Sequence, residues 1–452
     1  MSTTHNVFVH ERDGRHFLYA PLRDIVVELD TRTASAVREM LNGNAVTEFD
    51  GRKDWLEFLT ELRSDDFQSP SHNRSLNADK DAVSHYAPTS VVLSLTKECN
   101  LRCVYCYIHG GEEAGSMEFD IARASIDFVA SNARSRNFGN FGVSFHGEGE
   151  PTFKWSLFKN TVIYAQQVAN ELSIGLGLFL TSNGMWSTAQ YDFITKHFDG
   201  ISISLDGLES IQNSQRPTSS GEGSFGIVSK NLKRLKADGV QCAVRLTVMR
   251  SSIGGIIPFL EYIKSETLVK DVQLEPLFNS GRGVGLQAID RNFELDFASE
   301  LIKAQKFGKE IGLNLTYSGC VNPTSHKHFC GATGQEPNFV VMSDGTISSC
   351  YEVSKESHKL GEFFLYGTFN KETGRFELSN ERLERLMHYK KSESSPCNSC
   401  FAQSNCVGDC LTRRELHQLI SGEGSSSRCS LNREVLSRSL VHRLDGATEA
   451  RS

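Results

Sequence analysis

The sequence predicts an α/β fold in which a partial barrel of about six strand–helix units lies between a small N-terminal α+β module and a loop-rich C-terminal domain. From residue 89 to residue 311, apolar strand-like runs alternate with amphipathic helical patterns. Residues 1–64 show shorter alternating units, whereas residues 312–430 have few apolar runs and contain eight of the twelve cysteines. These three observations divide the chain into three domains.

The N-terminal module is predicted from the alternation of apolar and polar residues. This alternation marks strands at residues 6–10, 16–20 and 24–29, and helical patterns cover residues 31–41 and 55–63. We interpret residues 1–64 as a small sheet with two helices. Residues 65–88 are rich in Ser, Asp and Asn, which is typical of a linker, and residues 431–452 are interpreted as a C-terminal tail.

The barrel is predicted from repeated strand and helix patterns. Candidate strands are residues 90–95, 142–145, 176–180, 201–205, 242–248 and 272–277. Candidate helices are residues 120–131, 157–172, 189–197, 227–237, 256–265 and 295–311. Continuous apolar strands that alternate with helices are typical of a parallel sheet covered on both faces. About six units favour a partial barrel over a closed eight-stranded one.

Composition and charge indicate which binding partners and which cellular compartment to expect. A net charge of -7 and a pI near 6.1 give no general attraction to nucleic acid or anionic lipid. We expect no membrane span, because no run of about 18 apolar residues occurs. The N-terminus does not resemble a signal peptide, so we expect a cytoplasmic protein. Disulfides are rare in that reducing compartment, and the twelve cysteines therefore indicate metal binding.

The first cysteine cluster follows the first predicted barrel strand. Cys99, Cys103 and Cys106 have the spacing Cys-x3-Cys-x2-Cys. Three thiolates in one loop can bind three irons of a four-iron cluster, which leaves the fourth iron open to a small molecule with an amine and a carboxylate. The alternative is a zinc site, with His109 as a candidate fourth ligand. The position at the carboxyl end of a barrel strand favours catalysis.

This spacing, with an aromatic residue before the third cysteine, resembles the radical S-adenosylmethionine (SAM) superfamily. The resemblance implies a four-iron cluster in this loop and a contact between Tyr105 and the adenine side of SAM. Residues 145–152, Phe-His-Gly-Glu-Gly-Glu-Pro-Thr, resemble the family's Gly-Gly-Glu-Pro motif, which binds the methionine amino group. Gly149 and Glu150 match this motif, and Glu148 stands where a glycine is usual.

Polar residues also end the next predicted strands. Ser182 ends the third strand, and Ser204 begins the Ser-Leu-Asp-Gly sequence that ends the fourth. In similar enzymes that serine contacts the ribose, and we expect both serines to bind the cofactor. Arg245 resembles the arginine that pairs with the cofactor carboxylate, with a surface salt bridge as the alternative. The segment 221–226 fits G-x-G-x-x-G but follows no strand, so we interpret it as a turn.

The C-terminal cysteines form a longer pattern. It consists of Cys320, then Cys330-x14-Gly345-x4-Cys350, then Cys397-x2-Cys400-x5-Cys406-x3-Cys410, and finally Cys429. Asp344-Gly345 between two apolar runs predicts a β-hairpin that brings Cys350 back toward Cys330. Eight thiolates are enough for two fully ligated four-iron clusters. The four cysteines at 397–410 taken alone would also fit a zinc ribbon.

Taken with the upstream loop, this pattern resembles the SPASM extension of radical SAM enzymes that modify peptides. The resemblance implies three 4Fe-4S clusters and SAM as cofactors. It places Cys320, Cys330, Cys350 and Cys410 on one auxiliary cluster, and Cys397, Cys400, Cys406 and Cys429 on the other. Cys242 is left over in an apolar strand, and we expect it to be a core residue.

The resemblance also implies a reaction in which a 5′-deoxyadenosyl radical abstracts hydrogen from a ribosomally made precursor peptide or protein. We favour peptide maturation by cross-link formation, and formylglycine formation by a sulfatase maturase is the alternative. In sulfatase-maturing relatives an aspartate follows the third cysteine of the extension, whereas Tyr351 and Glu352 follow Cys350 here. These two residues are the candidate catalytic proton acceptors.

The expected partners are the precursor peptide and an electron donor such as flavodoxin or ferredoxin. The N-terminal module could bind a leader peptide by strand addition, or it could simply cap the barrel. The rival from another class is a non-catalytic iron–sulfur or zinc-stapled binding protein. Such a protein would not need the Gly-Glu-Pro and Ser-Leu-Asp-Gly elements at the strand ends.

Overall fold

The computed structural model describes residues 7–44, 46, 52–63, 86–287, 290–320, 330–389, 397, 399–415 and 428–449. The N-terminal module contains strands β1 (Phe8–Arg12), β2 (Arg15–Ala20) and β3 (Ile25–Leu29), then helices α1 (Thr31–Leu41) and α2 (Arg52–Arg63). The strands form an antiparallel sheet in the order β1-β2-β3. Asp30 is the N-cap of helix α1, and its side chain accepts a hydrogen bond from the backbone N–H of Thr33.

A second sheet forms the centre of the molecule. Its parallel strands are β4 (Ser90–Leu93), β5 (Asn140–Phe145), β6 (Gly175–Ser182), β7 (Gly200–Ser204), β8 (Ala243–Val248), β9 (Asp271–Pro276) and β10 (Asn314–Thr316). The helices between them are α3 (Phe119–Ser135), α4 (Trp155–Leu172), α5 (Thr188–His197), α6 (Glu209–Gln215), α7 (Phe225–Ala237), α8 (Ile256–Glu266) and α9 (Arg291–Ile311). The predicted alternation of strands and helices is therefore confirmed.

The C-terminal domain extends this sheet rather than forming a separate body. Its strands are β11 (Val340–Val341), β12 (Thr346–Ser348), β13 (Leu365–Asn370) and β14 (Arg375–Leu378), with helices α10 (Gly361–Phe364) and α11 (Asn380–Met387). In the described residues, the order is β10-β9-β8-β7-β6-β5-β4-β11-β12-β13-β14. Strand β4 pairs with β5 and β11, so the C-terminal domain occupies the edge where a closed barrel would continue.

The predicted hairpin at Asp344-Gly345 is present. Strands β11 and β12 pair antiparallel, and Gly345 has a φ of +89°, a conformation that glycine adopts without steric cost. The sequence analysis did not predict β10, β13, β14 or α11. These short elements are stabilised by pairing or packing with the larger sheet, which the local pattern does not reveal.

Apolar faces of strands and helices form one large core. Strand residues such as Val143, Ile203 and Val244 are fully buried, and the covering helices contribute Ile126, Val162, Leu232, Phe259 and Leu301. Cys242 precedes β8 and lies half-buried against this core. Burial of such side chains supplies the main free energy of folding, about 1.5–3 kcal/mol for each large one.

The C-terminal segment that the sequence analysis treats as a tail forms a long helix, α12 (Cys429–Glu449). Leu436 and Leu440 of this helix pack with Phe17 and Tyr19 of the N-terminal sheet. The opposite face of that sheet packs on α1 and α2. The N-terminal module is thereby attached to the C-terminal domain. No helix in the described part of the chain combines the length and apolarity needed to cross a membrane.

Candidate active site

The first cysteine loop begins just after β4. Backbone N–H groups point at two of its sulfurs, from Leu101 to Cys99 Sγ (3.4 Å) and from Gly110 to Cys106 Sγ (3.3 Å). Burial raises the pKa of the Cys99 thiol to about 12. A buried thiolate needs compensating positive charge, which metal ions supply, and hydrogen bonds to the sulfurs are a feature of iron–sulfur sites.

The Gly-Glu-Pro segment packs directly on this loop. A Cβ on Gly149 would lie 2.3 Å from the carbonyl oxygen of Glu98, so only glycine fits there. The Glu150 N–H donates to the same carbonyl (3.0 Å). This close approach places Gly149 and Glu150 beside the cysteines, as the family resemblance implies.

The Glu150 carboxylate connects two strand ends. Its Oε1 accepts hydrogen bonds from Thr152 and from Ser182 Oγ (2.7 Å), and its Oε2 accepts one from the Asn183 N–H (2.8 Å). Because three donors converge on Oε1, the remaining acceptor position is on Oε2. Burial raises the pKa of Glu150 above its usual value.

Ser182 differs from its predicted role. Its hydroxyl donates to Glu150 and accepts from the Gly184 N–H (3.2 Å) and from Trp186 Nε1 (2.8 Å), so it is fully used inside the protein. Thr181, the preceding residue, lines the central cavity instead. Successive side chains of a strand point to opposite faces, so Thr181 and Ser182 face opposite sides of the sheet.

Glu148, the departure from the usual motif, also has a structural partner. This buried carboxylate accepts hydrogen bonds from Ser94 Oγ (3.2 Å) and from the backbone N–H of Ser343 (3.0 Å). Ser343 lies at the predicted hairpin of the C-terminal domain. Glu148 therefore ties the first barrel strand to the domain that carries the additional cysteines.

Tyr105 belongs to a buried network behind the third cysteine. Its hydroxyl donates to Asp206 and accepts from Arg216 Nη1 (2.7 Å). Burial raises the pKa of Tyr105 well above its usual value, and Cys103 is among the groups near both Tyr105 and Arg216. The Arg216 Nε is buried without a hydrogen-bond partner in the described residues. The sequence analysis missed Arg216, which follows a short helix and has no motif of its own.

A cavity of about 730 Å³ opens between the concave face of the parallel sheet and the C-terminal domain. Ser204 and Arg245 line it from neighbouring strands, where they are paired in register, together with Tyr105. Cys330, Cys350 and Cys410 line the opposite side. The structure therefore brings the predicted cofactor residues and three of the C-terminal cysteines to one space.

The two predicted proton acceptors, Tyr351 and Glu352, also line this cavity. The Glu352 carboxylate forms an ion pair with Arg413 and accepts a hydrogen bond from Ser280 Oγ (2.9 Å). Burial raises the pKa of Tyr351. Two partners, Arg413 and Ser280, thus hold the Glu352 carboxylate in position.

His146 is a cavity residue that the sequence analysis did not single out. It follows β5 directly, and its ring lies 5.3 Å from the Tyr351 ring and 3.5 Å from the Tyr107 hydroxyl (Nε2 to Oη). Burial, together with the charge of Arg245, lowers the pKa of His146 to about 4. The ring is therefore neutral at neutral pH and offers a proton acceptor. Its position at the carboxyl end of a barrel strand was the available signal.

The C-terminal thiols fall into two groups. In the first group, Cys330 and Cys350 both lie near Cys410; burial and this neighbour raise the pKa of Cys350 to about 12. In the second group, Cys400 lies near Cys397 and Cys429. These neighbours agree with the two sets that the SPASM resemblance implies.

Cys320 departs from those sets. Its backbone forms an antiparallel bridge with Cys406, and its Sγ contacts the Asn432 carbonyl (3.3 Å). Asn432 Nδ2 in turn donates to Cys406 Sγ (3.2 Å). Cys320 follows β10 closely, and its neighbour Tyr317 is bonded to Asn432 (2.7 Å). This anchor holds Cys320 with the second group, whereas the resemblance implies the first.

Cys320→Ala and Cys406→Ala are expected to change the same auxiliary electron paramagnetic resonance signal in the reconstituted, reduced protein. The reason is their adjacency across the Cys320–Cys406 bridge. Cys350→Ala should change the other signal. If Cys320→Ala instead reproduces the spectrum of Cys350→Ala, this grouping is wrong.

A zinc site at the first loop would need the three thiols and His109 to converge on one ion. No three His, Cys, Asp or Glu side chains in the described ranges converge closely enough to hold one metal ion. In a four-iron cluster each thiolate binds a different iron, so the sulfurs stand farther apart than around zinc. His109, the candidate fourth zinc ligand, instead pairs with Glu112 (3.3 Å). Next to it, Gly110 packs closely on the Gly-Glu-Pro segment, because a Cβ there would lie 2.9 Å from the carbonyl oxygen of Glu148.

Comparison with known proteins identifies related sequences. Residues 93–261 match the family model of the radical SAM superfamily. The sporulation killing factor maturation protein SkfB of Bacillus subtilis is 22% identical over 243 residues, 51% of this chain and 53% of that protein. A serine-type anaerobic sulfatase-maturating enzyme of Klebsiella aerogenes is 21% identical over 329 residues, 69% of this chain and 76% of the enzyme.

Solved structures show the same fold. Native anSMEcpe with bound AdoMet superimposes with a TM-score of 0.65 at 19% identity, over 80% of this chain and 99% of that one. Streptococcus suis SuiB bound to precursor peptide SuiA has a TM-score of 0.53 at 14% identity, over 94% and 98% of the two chains. The first curated relatives are matched over only 51%, 57% and 35% of their own length. Residues 93–261 thus match the radical SAM superfamily, and the chain is similar to enzymes that mature peptides or proteins.

Proposed function

We propose that this protein is a radical SAM/SPASM enzyme that modifies residues of a ribosomally made precursor peptide, by forming a cross-link. One observation carries the proposal. Tyr105 and Tyr107 of the three-cysteine loop and three C-terminal cysteines border one cavity of about 730 Å³. The Gly-Glu-Pro segment packs on that loop. A binding protein or an electron carrier has no need for such a shared space.

The first cluster would be held by Cys99, Cys103 and Cys106. Gly149 and Glu150 would hold the amino group of SAM, through the acceptor position that remains on Oε2 of Glu150 beside the Asn183 N–H. Ser204 would contact the ribose from the cavity wall. Tyr105 and Arg216 would bind the rest of the cofactor, and the unpartnered Nε of Arg216 suits its carboxylate. A reduced cluster with bound SAM supplies the carbon-radical chemistry that abstracts hydrogen from the substrate.

The remaining cysteines would hold two auxiliary 4Fe-4S clusters. Cys330, Cys350 and Cys410 would bind the one nearer the cavity, because all three line it. The other auxiliary cluster would be bound by cysteines of the second group, which consists of Cys320, Cys397, Cys400, Cys406 and Cys429. The nearer cluster would accept the electron that the substrate loses. A cytoplasmic flavodoxin or ferredoxin is the proposed electron donor for the whole cycle.

The peptide substrate is proposed from the relatives and from the N-terminal module. SkfB is a killing-factor maturation protein, and SuiB has been solved with its precursor peptide. In the described residues, β1 and β3 each pair only with β2, so the small sheet has edges for an added strand. A leader peptide bound there would be tethered to the same body as the cavity.

Formylglycine formation on a sulfatase is the second candidate, favoured by the long match to the sulfatase-maturating enzyme of Klebsiella aerogenes. The presence of Tyr351 and Glu352 after Cys350, where sulfatase maturases have an aspartate next, argues against it. The two candidates differ in the product, because each removes two hydrogens from a serine-containing peptide but only cross-linking joins two residues, whereas formylglycine formation leaves an aldehyde.

The test is an anaerobic reaction of the reconstituted, reduced protein with SAM and the small peptides encoded near its gene. We expect 5′-deoxyadenosine and a peptide that has lost two hydrogens, with fragmentation blocked between the linked residues. A sulfatase-derived peptide should remain unchanged. Conversion of that peptide to an aldehyde would replace cross-linking by formylglycine formation. Absence of 5′-deoxyadenosine with every peptide would refute both.

A further inference from the structure

The wall of the central cavity carries more positively charged than negatively charged side chains. The charged residues on its wall are Arg216, Arg245, Glu275, Glu352 and Arg413. Glu352 is paired with Arg413, and Glu275 is paired with Arg428 (3.3 Å). Arg216 is bonded to Tyr105, which in turn is bonded to Asp206. Each of these charges therefore has a partner or a nearby opposite charge.

Arg245 is the exception. Its side chain is exposed to the cavity from β8, and within the described ranges its guanidinium has no hydrogen-bond or ion-pair partner. A guanidinium carries five N–H donors in a fixed fork that matches a carboxylate. A cavity wall that holds such a group without a partner is ready for an anion.

The surroundings of Arg245 provide neutral donors and no competing carboxylate. Its charge acts on His146, Tyr107 and Tyr351, and these three side chains lie on the cavity wall. Burial, and after it the charge of Arg245, keeps the imidazole of His146 uncharged at neutral pH. The tyrosine hydroxyls can add hydrogen bonds to an anion that Arg245 binds. The two wall carboxylates, Glu352 and Glu275, are already paired, with Arg413 and Arg428 respectively.

Arg245 lies at the border of the proposed SAM site, because it pairs in register with Ser204, and its charge also acts on Tyr351. Arg216 lies near Cys103 and Tyr105, on the side of the first cysteine loop. Tyr351, by contrast, is adjacent to Cys350 and belongs to the C-terminal side of the cavity. Arg245 therefore faces the part of the cavity where a substrate residue would stand between SAM and the nearer auxiliary thiols. The family resemblance assigns Arg245 to the cofactor carboxylate, whereas we assign that carboxylate to Arg216.

We propose that Arg245 binds a carboxylate of the peptide substrate, so that this enzyme selects an acidic side chain or a free C-terminus next to the residue it modifies. The proposal rests on the proposed function for the peptide nature of the ligand, and it adds the chemical class of the group recognised. Tyr107, His146 and Tyr351 would position the bound carboxylate.

Binding is measured by equilibrium dialysis on the reconstituted, unreduced full-length protein with SAM present. The probes are the peptide Ac-Gly-Gly-Glu-Gly-Gly-NH2, its Gln counterpart, and the Gln peptide with a free C-terminal carboxylate. The wild type is expected to bind at least one carboxylate peptide about tenfold more tightly than the neutral one, as charge-assisted hydrogen bonds imply. The two carboxylate probes show whether a side chain or a C-terminus is preferred.

Arg245→Gln should abolish this preference and leave SAM affinity within about twofold, because SAM is assigned to other residues. Arg216→Gln should weaken SAM binding and keep the preference. Arg234→Gln, on the outer surface beside Asp192, is the matched control. Equal binding of all three peptides by the wild type would overturn the inference, as would loss of SAM affinity in Arg245→Gln. No turnover is involved, so a failure of the proposed reaction is visible separately.

Discussion

The triple change Cys99→Ala, Cys103→Ala and Cys106→Ala is expected to reduce 5′-deoxyadenosine formation to background. These residues are the thiols of the loop that the Gly-Glu-Pro segment packs against, and no other described residue replaces them there. Without the three ligands the first cluster does not form, and SAM has no iron to bind. The product is measured by chromatography after reduction of the reconstituted protein with SAM.

The matched control for this change is Cys242→Ala. Cys242 is a cysteine of the same barrel that lies against the core and outside the cavity-lining set. It should lose some stability and retain 5′-deoxyadenosine formation. Substantial product from the triple variant would show that SAM is cleaved elsewhere, and the assignment of the first loop would be wrong.

Glu275→Gln is expected to destabilise the folded protein by about 1–3 kcal/mol, because it removes one of the two carboxylates, Glu275 and Asp409, that pair with the buried guanidinium of Arg428. Both Nη atoms of Arg428 lie 3.3 Å from Glu275 Oε2, and the guanidinium lies 4.0 Å from the Phe278 ring centroid. Glu275 also accepts from the Ser318 hydroxyl (2.8 Å). The pair joins β9 to the segment that leads into Cys429.

The loss of stability is measured by urea denaturation of the anaerobic protein. Glu266→Gln is the control, because Glu266 pairs with Lys233 at the surface (2.8 Å) and such pairs contribute little. The Glu275 variant should also lose iron from the second group of C-terminal cysteines before it unfolds completely. A midpoint shift no larger than that of the control would mean that Arg428 is compensated by other partners.

The parts of the fold with regular periodicity could be predicted from the sequence. In β5 and β8, alternate residues such as Val143, Phe145, Val244 and Leu246 are buried, so these strands appear in the sequence as runs with regularly spaced apolar residues. The first cysteine loop could be predicted because its ligands are neighbours in sequence. The helix that begins at Cys429 was missed because its apolar face is used by two different elements, α9 and the N-terminal sheet.

Several site details depend on three-dimensional contacts that no local pattern contains. Ser182 was expected to face the cofactor, but its hydroxyl is bonded to Glu150 and Trp186. Cys320 was grouped with Cys330 through the family pattern, whereas an isolated bridge places it beside Cys406. Arg245 could be found from sequence, but only the structure shows that its charge has no partner among the described residues.

The central claim is that one radical cluster and two auxiliary clusters act together, and iron content with electron paramagnetic resonance tests it most directly. The anaerobically reconstituted protein should contain about twelve irons, falling to about eight in the triple Cys99/Cys103/Cys106 variant, as expected for three four-iron clusters. The variant should keep the auxiliary signals and lose the signal that responds to SAM. Zinc in place of iron, or only about four irons in the wild type, would contradict the account.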